Sequence, residues 1–248
     1  HIKIMQLKFK ETMQKPEGFL TATTCMQWSP DSKKMQALRY DRNIVFFNEN
    51  CQKWDQIQTR GIDHTKPSKD YIPTCLSCSA DSCYIAVGQS DNVVYVFNVG
   101  KTLEKKAIQG RFVLTSAATS ILWLNNQESA VQSDIIVGCQ DGSVYVCNMA
   151  KKQTQTLFSF QCFTQLLQNK QVAPDGQASQ GGSPIINIHR LSSTQVVFVN
   201  ECGISAFYDL EQPMLRMVSR HSALLTTSAI LTPRNSQKTY LILADLTQ

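Results

Sequence analysis

Apolar residues in this chain come in short blocks, paired around polar turns. Tyr84 to Gly88 and Val93 to Phe97 are two such blocks, separated by Gln89-Ser90-Asp91-Asn92 and closed by Asn98. Short apolar runs bounded by turn residues read as β-strands, so this stretch predicts a hairpin. The same design recurs twice. Tyr40-Asp41-Arg42-Asn43 leads to Phe47-Asn48, and Gln140-Asp141-Gly142 leads to Cys147-Asn148. The turn aspartates fall at 41, 91 and 141, a period of 50 residues. A period of that size marks stacked blades or arrays.

Along the chain, Met5 to Lys10 alternates apolar and polar residues and predicts a strand with one wet face. Thr24 to Ser29 predicts a strand ended by Pro30, which cannot donate to a ladder. Trp54 to Thr59 predicts a more polar outer strand, and the stretch 61–70 a loop. The pattern then restarts. Cys75, Ser79 and Asp81-Ser82 stand where Cys25, Ser29 and Asp31-Ser32 stood. A third unit opens at Ser120 to Trp123. A fourth, weaker one runs through Ile185 to His189, Val196 to Val199 and Ile204 to Asp209, with Cys202 in place of the turn aspartate. Between them, 168–183 is rich in Gln, Gly, Ser and Ala and predicts a flexible loop. A fifth unit starts at Ser228 and reaches a second strand at Tyr240 to Ala244.

Four strands per period is β-propeller arithmetic. The expected fold is all-β, a WD40-type β-propeller with four to five recognisable blades, in units of about 22–60, 72–109, 116–160, 185–220 and 226–248. A half-blade would expose an unpaired sheet edge, which propellers avoid by closing a ring. The chain therefore reads as an incomplete fragment, with Met5 to Lys10 the outer strand of a last blade.

Composition narrows the function classes. Of 248 residues, 42% are hydrophobic and 17% charged. No run of 18 apolar residues suggests a membrane span. No apolar segment follows His1 to Met5, so the expectation is a cytoplasmic protein that is not secreted. Nine cysteines, an odd number mostly inside apolar runs, read as reduced core residues. The net charge of +5 is too mild for a dedicated nucleic-acid binder.

Several strings carry a family resemblance. They are Met5-Gln6-Leu7-Lys8, Cys25-Met26-Gln27-Trp28-Ser29, Tyr40 to Val45, Tyr84 to Val96 and Thr115 to Trp123. Through about residue 150 the chain resembles the N-terminal WD-repeat region of the intraflagellar transport protein 172 family, subunits of the ciliary transport complex B. On that resemblance Met5 is the natural start, and residues 1–4 are extra N-terminal sequence ahead of a WD-repeat region spanning 5–248. A further blade expected near 153–184 is not recognisable. The resemblance implies a non-enzymatic protein–protein interaction scaffold of cilium or flagellum assembly, located in the cilium or flagellum and basal body. It also implies partners among the other intraflagellar transport subunits. A vesicle-coat or other cytoplasmic WD-repeat scaffold is the alternative, and a propeller enzyme a lesser one.

Candidate chemistry is sparse. Cys75, Cys78 and Cys83, with His64 nearby, have a loose metal-ligand spacing, but Cys75 and Cys78 on one strand would point to opposite faces. His189 is placed at the strand position of Trp28 and Trp123, as a core or rim histidine. No nucleophile elbow, P-loop or dinucleotide fingerprint occurs. No catalytic residue, metal or cofactor is expected, nor a nucleic acid or small-molecule substrate. Asp41, Asp91 and Asp141 are expected to accept hydrogen bonds from turn amides, with a cation-binding ring as the alternative. Turns at one end of a propeller hold Lys33, Lys34, Lys53, Lys101, Lys151 and Lys152, followed by Arg234 and Lys238. The other end holds the turn aspartates with Asp63 and Asp70. A basic face is thus expected, either simply solvated or docking an acidic protein or an anionic membrane surface.

Overall fold

The computed structural model describes residues 21–62, 70–124, 134–159, 182–212, 214–232 and 239–245. The predicted strand Met5 to Lys10, His64 and nearly all of the 168–183 loop lie outside them. Among the described residues every regular element is a strand. β1 (Thr23–Trp28), β2 (Lys34–Arg39), β3 (Asn43–Asn48) and β4 (Lys53–Gln58) form one antiparallel sheet. β5 (Pro73–Cys78), β6 (Tyr84–Gln89), β7 (Val93–Asn98) and β8 (Ala107–Val113) form the second. β9 (Ala118–Trp123), β10 (Ile135–Cys139), β11 (Val144–Asn148) and β12 (Gln153–Phe158) form the third. β13 (Ile185–Arg190), β14 (Gln195–Asn200), β15 (Ile204–Asp209) and β16 (Met214–Arg220) form the fourth, and β17 (Leu225–Leu231) pairs with β18 (Tyr240–Asp245). Each sheet is a simple meander. The first strands pack on one another in sequence, β1 on β5, β5 on β9, β9 on β13 and β13 on β17. These are propeller blades stacked around their inner strands, in an array that does not close into a ring among the described residues.

The pleat sends alternate residues into the two neighbouring seams. Leu38, Ile44 and Phe46 meet Leu76, Ile85, Val87 and Tyr95 between blades one and two. Ala86, Val94 and Val96 meet Ile121, Trp123 and Ile135 between blades two and three. Ile136 and Phe158 meet Ile185 and Phe198 in the third seam. Middle strands are therefore buried on both faces and mostly apolar, β2 with its buried Lys34 and Gln36 being the exception; every residue of β6 is buried. Outer strands read as polar because solvent takes most of their surface, as along β12.

Side chains of the inner strands staple each blade to the next. Thr74 Oγ1 donates to Ala118 O at 2.5 Å, Thr119 Oγ1 to Ile185 O at 2.7 Å, and Trp123 Nε1 back to Ser77 O at 2.9 Å. Gly88 is required by this packing: a Cβ there would lie 2.6 Å from Cys75 Sγ and 2.7 Å from Ala118 Cβ.

Register corrects one placement. His189 pairs with Val197, as Ser77 pairs with Ala86 and Leu122 with Ile136, whereas Trp28, Cys78 and Trp123 are matched by Arg190. A one-residue slip in a strand exchanges its faces. His189 accordingly faces β17, where its Nε2 lies 2.7 Å from Ser228 Oγ.

Candidate functional site

The first-to-second and third-to-fourth strand connections of each blade lie at one end of the array. Their geometry follows from a repeated turn. In Ser29-Pro30-Asp31-Ser32 the Ser29 hydroxyl donates to Asp31 Oδ1 at 2.6 Å, and Asp31 Oδ1 accepts from Lys33 N. Ser79 and Asp81 repeat this, again at 2.6 Å, with Cys83 N as the amide donor. Ser32 and Ser82 adopt φ of 59° and 61° in the two copies. Asp31 N also donates to Ser82 Oγ at 3.2 Å, so the two turns are joined. The carboxylates here are consumed in holding turns. Against the upward push of partial burial, the Ser29 and Lys33 hydrogen bonds hold Asp31 below its ordinary range. The Thr102 hydroxyl holds exposed Glu104 down at about 2.

Lysines project from this frame. Lys33 stands in the β1–β2 turn, Lys53 opens β4, Lys101 lies in the β7–β8 link, and Lys151 and Lys152 lie in the β11–β12 turn; all five are exposed. Lys105 and Lys106 join them from the same β7–β8 link, a placement that sequence reading missed although both follow Glu104 in one polar run. Lys106 Nζ pairs with Asp55 of β4 at 2.6 Å, tying the rims of blades one and two together. Lys34 does not belong to this surface. It is fully buried, and its ammonium donates to Ser82 O at 2.8 Å, Gly100 O at 3.0 Å and Lys101 O at 2.7 Å. It opens a strand whose side chain at that position points into the seam, which a turn assignment conceals. Arg234 and Lys238 lie outside the described residues.

An open groove of about 520 Å³ crosses the rim of blade one. Lys33, Asn48, Glu49, Asn50, Gln52, Lys53 and Trp54 line it. Its floor turn is fixed by Asn48 Oδ1, which accepts from Asn50 N and Gln52 N. Trp54 is 43% exposed. The groove thus offers two ammonium groups, amide groups, one carboxylate from Glu49 and one aromatic face to a ligand.

The opposite end carries the turn aspartates, two of which accept from the amide two residues on. Asp41 accepts from Asn43 N and pairs with Arg39 at 2.8 Å. Asp141 accepts from Ser143 N. Asp91 instead reaches across to Ile62 N at 2.8 Å, pinning the link that precedes β5, and burial pushes its carboxyl up. In blade four, where Cys202 stands in for the aspartate, Asn200 Oδ1 accepts from Ile204 N at 2.8 Å. Arg39 shares this end, so it is not uniformly acidic.

Cys75 packs in the seam between blades two and three, and Cys78 in the seam between blades one and two. Burial pushes the Cys75 thiol up to about 12 and that of Cys78 to about 11. Among the described residues, no group of three His, Cys, Asp or Glu side chains converges.

No family model matches the chain. Among curated proteins it is similar to the intraflagellar transport protein 172 homolog of Mus musculus, 29% identical over 160 residues, covering 64% of this chain and 9% of that protein. It is 26% identical over 158 residues to intraflagellar transport protein 172 of Chlamydomonas reinhardtii, covering 62% of this chain and 9% of that protein. The homolog of Danio rerio is 32% identical over 155 residues, covering 62% and 8%. The chain thus spans less than a tenth of these relatives. Among solved structures, the RRP9 WD40 repeats superpose with a TM-score of 0.59 at 16% identity, covering 81% of this chain and 52% of that one, which supports the fold alone.

Proposed function

We propose that this chain, whose WD-repeat region is like the N-terminal one of intraflagellar transport protein 172, is part of a non-enzymatic scaffold for intraflagellar transport. The observation that carries this reading is that likeness, which recurs across species over about 63% of the chain. The scaffold works in the cilium or flagellum and at the basal body, and its partners are other intraflagellar transport subunits. Blades suit the role because their seams hold the turns rigidly while the loops remain free to vary.

The lysine rim is the docking surface in this reading. Lys33, Lys53, Lys101, Lys151 and Lys152 are exposed on turns that stapled blades hold in fixed relation. Such a surface attracts an acidic protein segment, with the groove beside Trp54 taking one apolar side chain. An anionic membrane is the other occupant with the right charge. Exposed charges act over roughly 8 Å at physiological salt, so association should slow as salt rises. Replacing these five lysines by Glu tests it. The expected result is loss of binding to poly-L-glutamate or to phosphatidylserine vesicles, whichever the unaltered protein binds. Unchanged binding to both would contradict the rim's role.

A further inference from the structure

The lysine that the fold withdraws from the rim has its own task. We propose that Lys34 is a positioning residue that sets the conformation of the 99–106 link, and so the placement of Lys101, Lys105 and Lys106. The docking part of this inference rests on the rim reading above; the clamp itself does not.

An ammonium has three donors, and here all three are used, on Ser82 O, Gly100 O and Lys101 O, at 2.8, 3.0 and 2.7 Å. Two of those carbonyls belong to the link. Burying a charge is costly unless it is fully hydrogen-bonded, so a completely buried lysine without this cage would not persist. The seam leaves room for it. Where Trp123 fills the seam between blades two and three beside Tyr84 and Ala86, the matching residue between blades one and two is the small Cys78. Lys34 and Gln36 occupy the space opposite, Gln36 Nε2 lying 3.5 Å from Cys78 Sγ. Tyr84, the counterpart of Lys34 one blade on, instead meets Trp123 in a tilted ring contact at 6.4 Å.

The link needs such a clamp. Gly100 and Leu103 adopt φ of 68° and 61°, and an L-residue at positive φ is held by its surroundings. Gly100 N and Val99 N bond Cys83 O, and Leu103 is buried, but the remaining side chains from Lys101 to Lys106 are exposed. Lys105 N closes the link on Val99 O at 3.3 Å and Glu104 accepts from Thr102, while Lys34 grips Gly100 O and Lys101 O at the point where the chain reverses.

Amide hydrogen exchange on the full-length protein tests this. In the unaltered protein, Gly100 and Lys105 should be protected like strand amides; exchange at unstructured-peptide rates would overturn the clamp without any variant. In Lys34→Met, which keeps the volume and removes the donors, exchange across 99–106 should rise at least tenfold while β13–β16 is unchanged. Equal exchange in both proteins would overturn it. Poly-L-glutamate binding separates the two layers. Lys101→Ala, Lys105→Ala and Lys106→Ala together should weaken it at least tenfold, and no effect there rejects the rim reading alone. With that effect present, Lys34→Met should weaken binding several-fold; a loosened link with unchanged binding would overturn the positioning role.

Discussion

His189 shows how a single residue ties the fold to solution conditions. It faces β17, with Ser228 Oγ at 2.7 Å, and Asn187 and Thr227 complete a polar patch in an otherwise apolar seam. Burial lowers its pKa from the ordinary 6.5. The unfolded chain therefore binds a proton more readily than the folded one. Stability is present above pH 6.5 and is lost as pH falls through 6.5 toward the depressed folded value. Urea unfolding at pH 7.5 and 5.5 checks the sign. The unaltered protein should lose midpoint on acidification, and His189→Gln should lose less; an equal loss would assign the effect to other groups. The sequence placed His189 one position off because its apolar neighbours, Ile186 and Ile188, fit either register. Lys34 was misread for a related reason. A lysine beside a turn looks solvated, and nothing local reveals that three carbonyls from residues 82, 100 and 101 converge on it.

Elements were far more legible. A 50-residue repeat of turn aspartates, apolar middle strands and polar outer strands specifies a blade, because middle strands are buried on both faces and outer strands on one. The Ser-x-Asp-Ser strings at 29 and 79 proved to be hydrogen-bonded turns. What the repeat could not show is which blade a residue packs against. Trp28 and Trp123 hold the same strand position, yet Trp123 is 4% exposed and bonded to Ser77 O of the preceding blade, while Trp28 is 46% exposed. Removing a buried aromatic costs about 3–5 kcal/mol, and a partly exposed one on the order of 1 kcal/mol. Denaturant unfolding should accordingly place Trp123→Ala well below Trp28→Ala in stability. Equal losses would mean that the first blade's outward face is covered as fully as a seam.

For the whole molecule, the blades supply rigidity and the connections supply chemistry. The inner-strand staples run from blade to blade, and the Lys106–Asp55 pair and the Lys34 cage reinforce the junction of blades one and two at the rim. Two apolar flanks remain, Met26 and Trp28 on one side and Leu231, Tyr240 and Ile242 on the other. The lysines, by contrast, share one end of every described blade from the first to the third. That polarity is what a scaffold needs if partners approach from one side, and it arises because meandering sheets put alternate connections at the same end. Its chemistry was readable from the turn sequences; its membership was not, since Lys34 left it and Lys105 and Lys106 joined it. A part of an intraflagellar transport scaffold should travel with the other subunits of that scaffold. The most direct measurement is co-purification of the tagged full-length protein from ciliated cells, quantified against other intraflagellar transport subunits. Stoichiometric recovery of those subunits, together with ciliary localisation of the tag, is the predicted result. Recovery at background level, with the tag excluded from cilia, would contradict it.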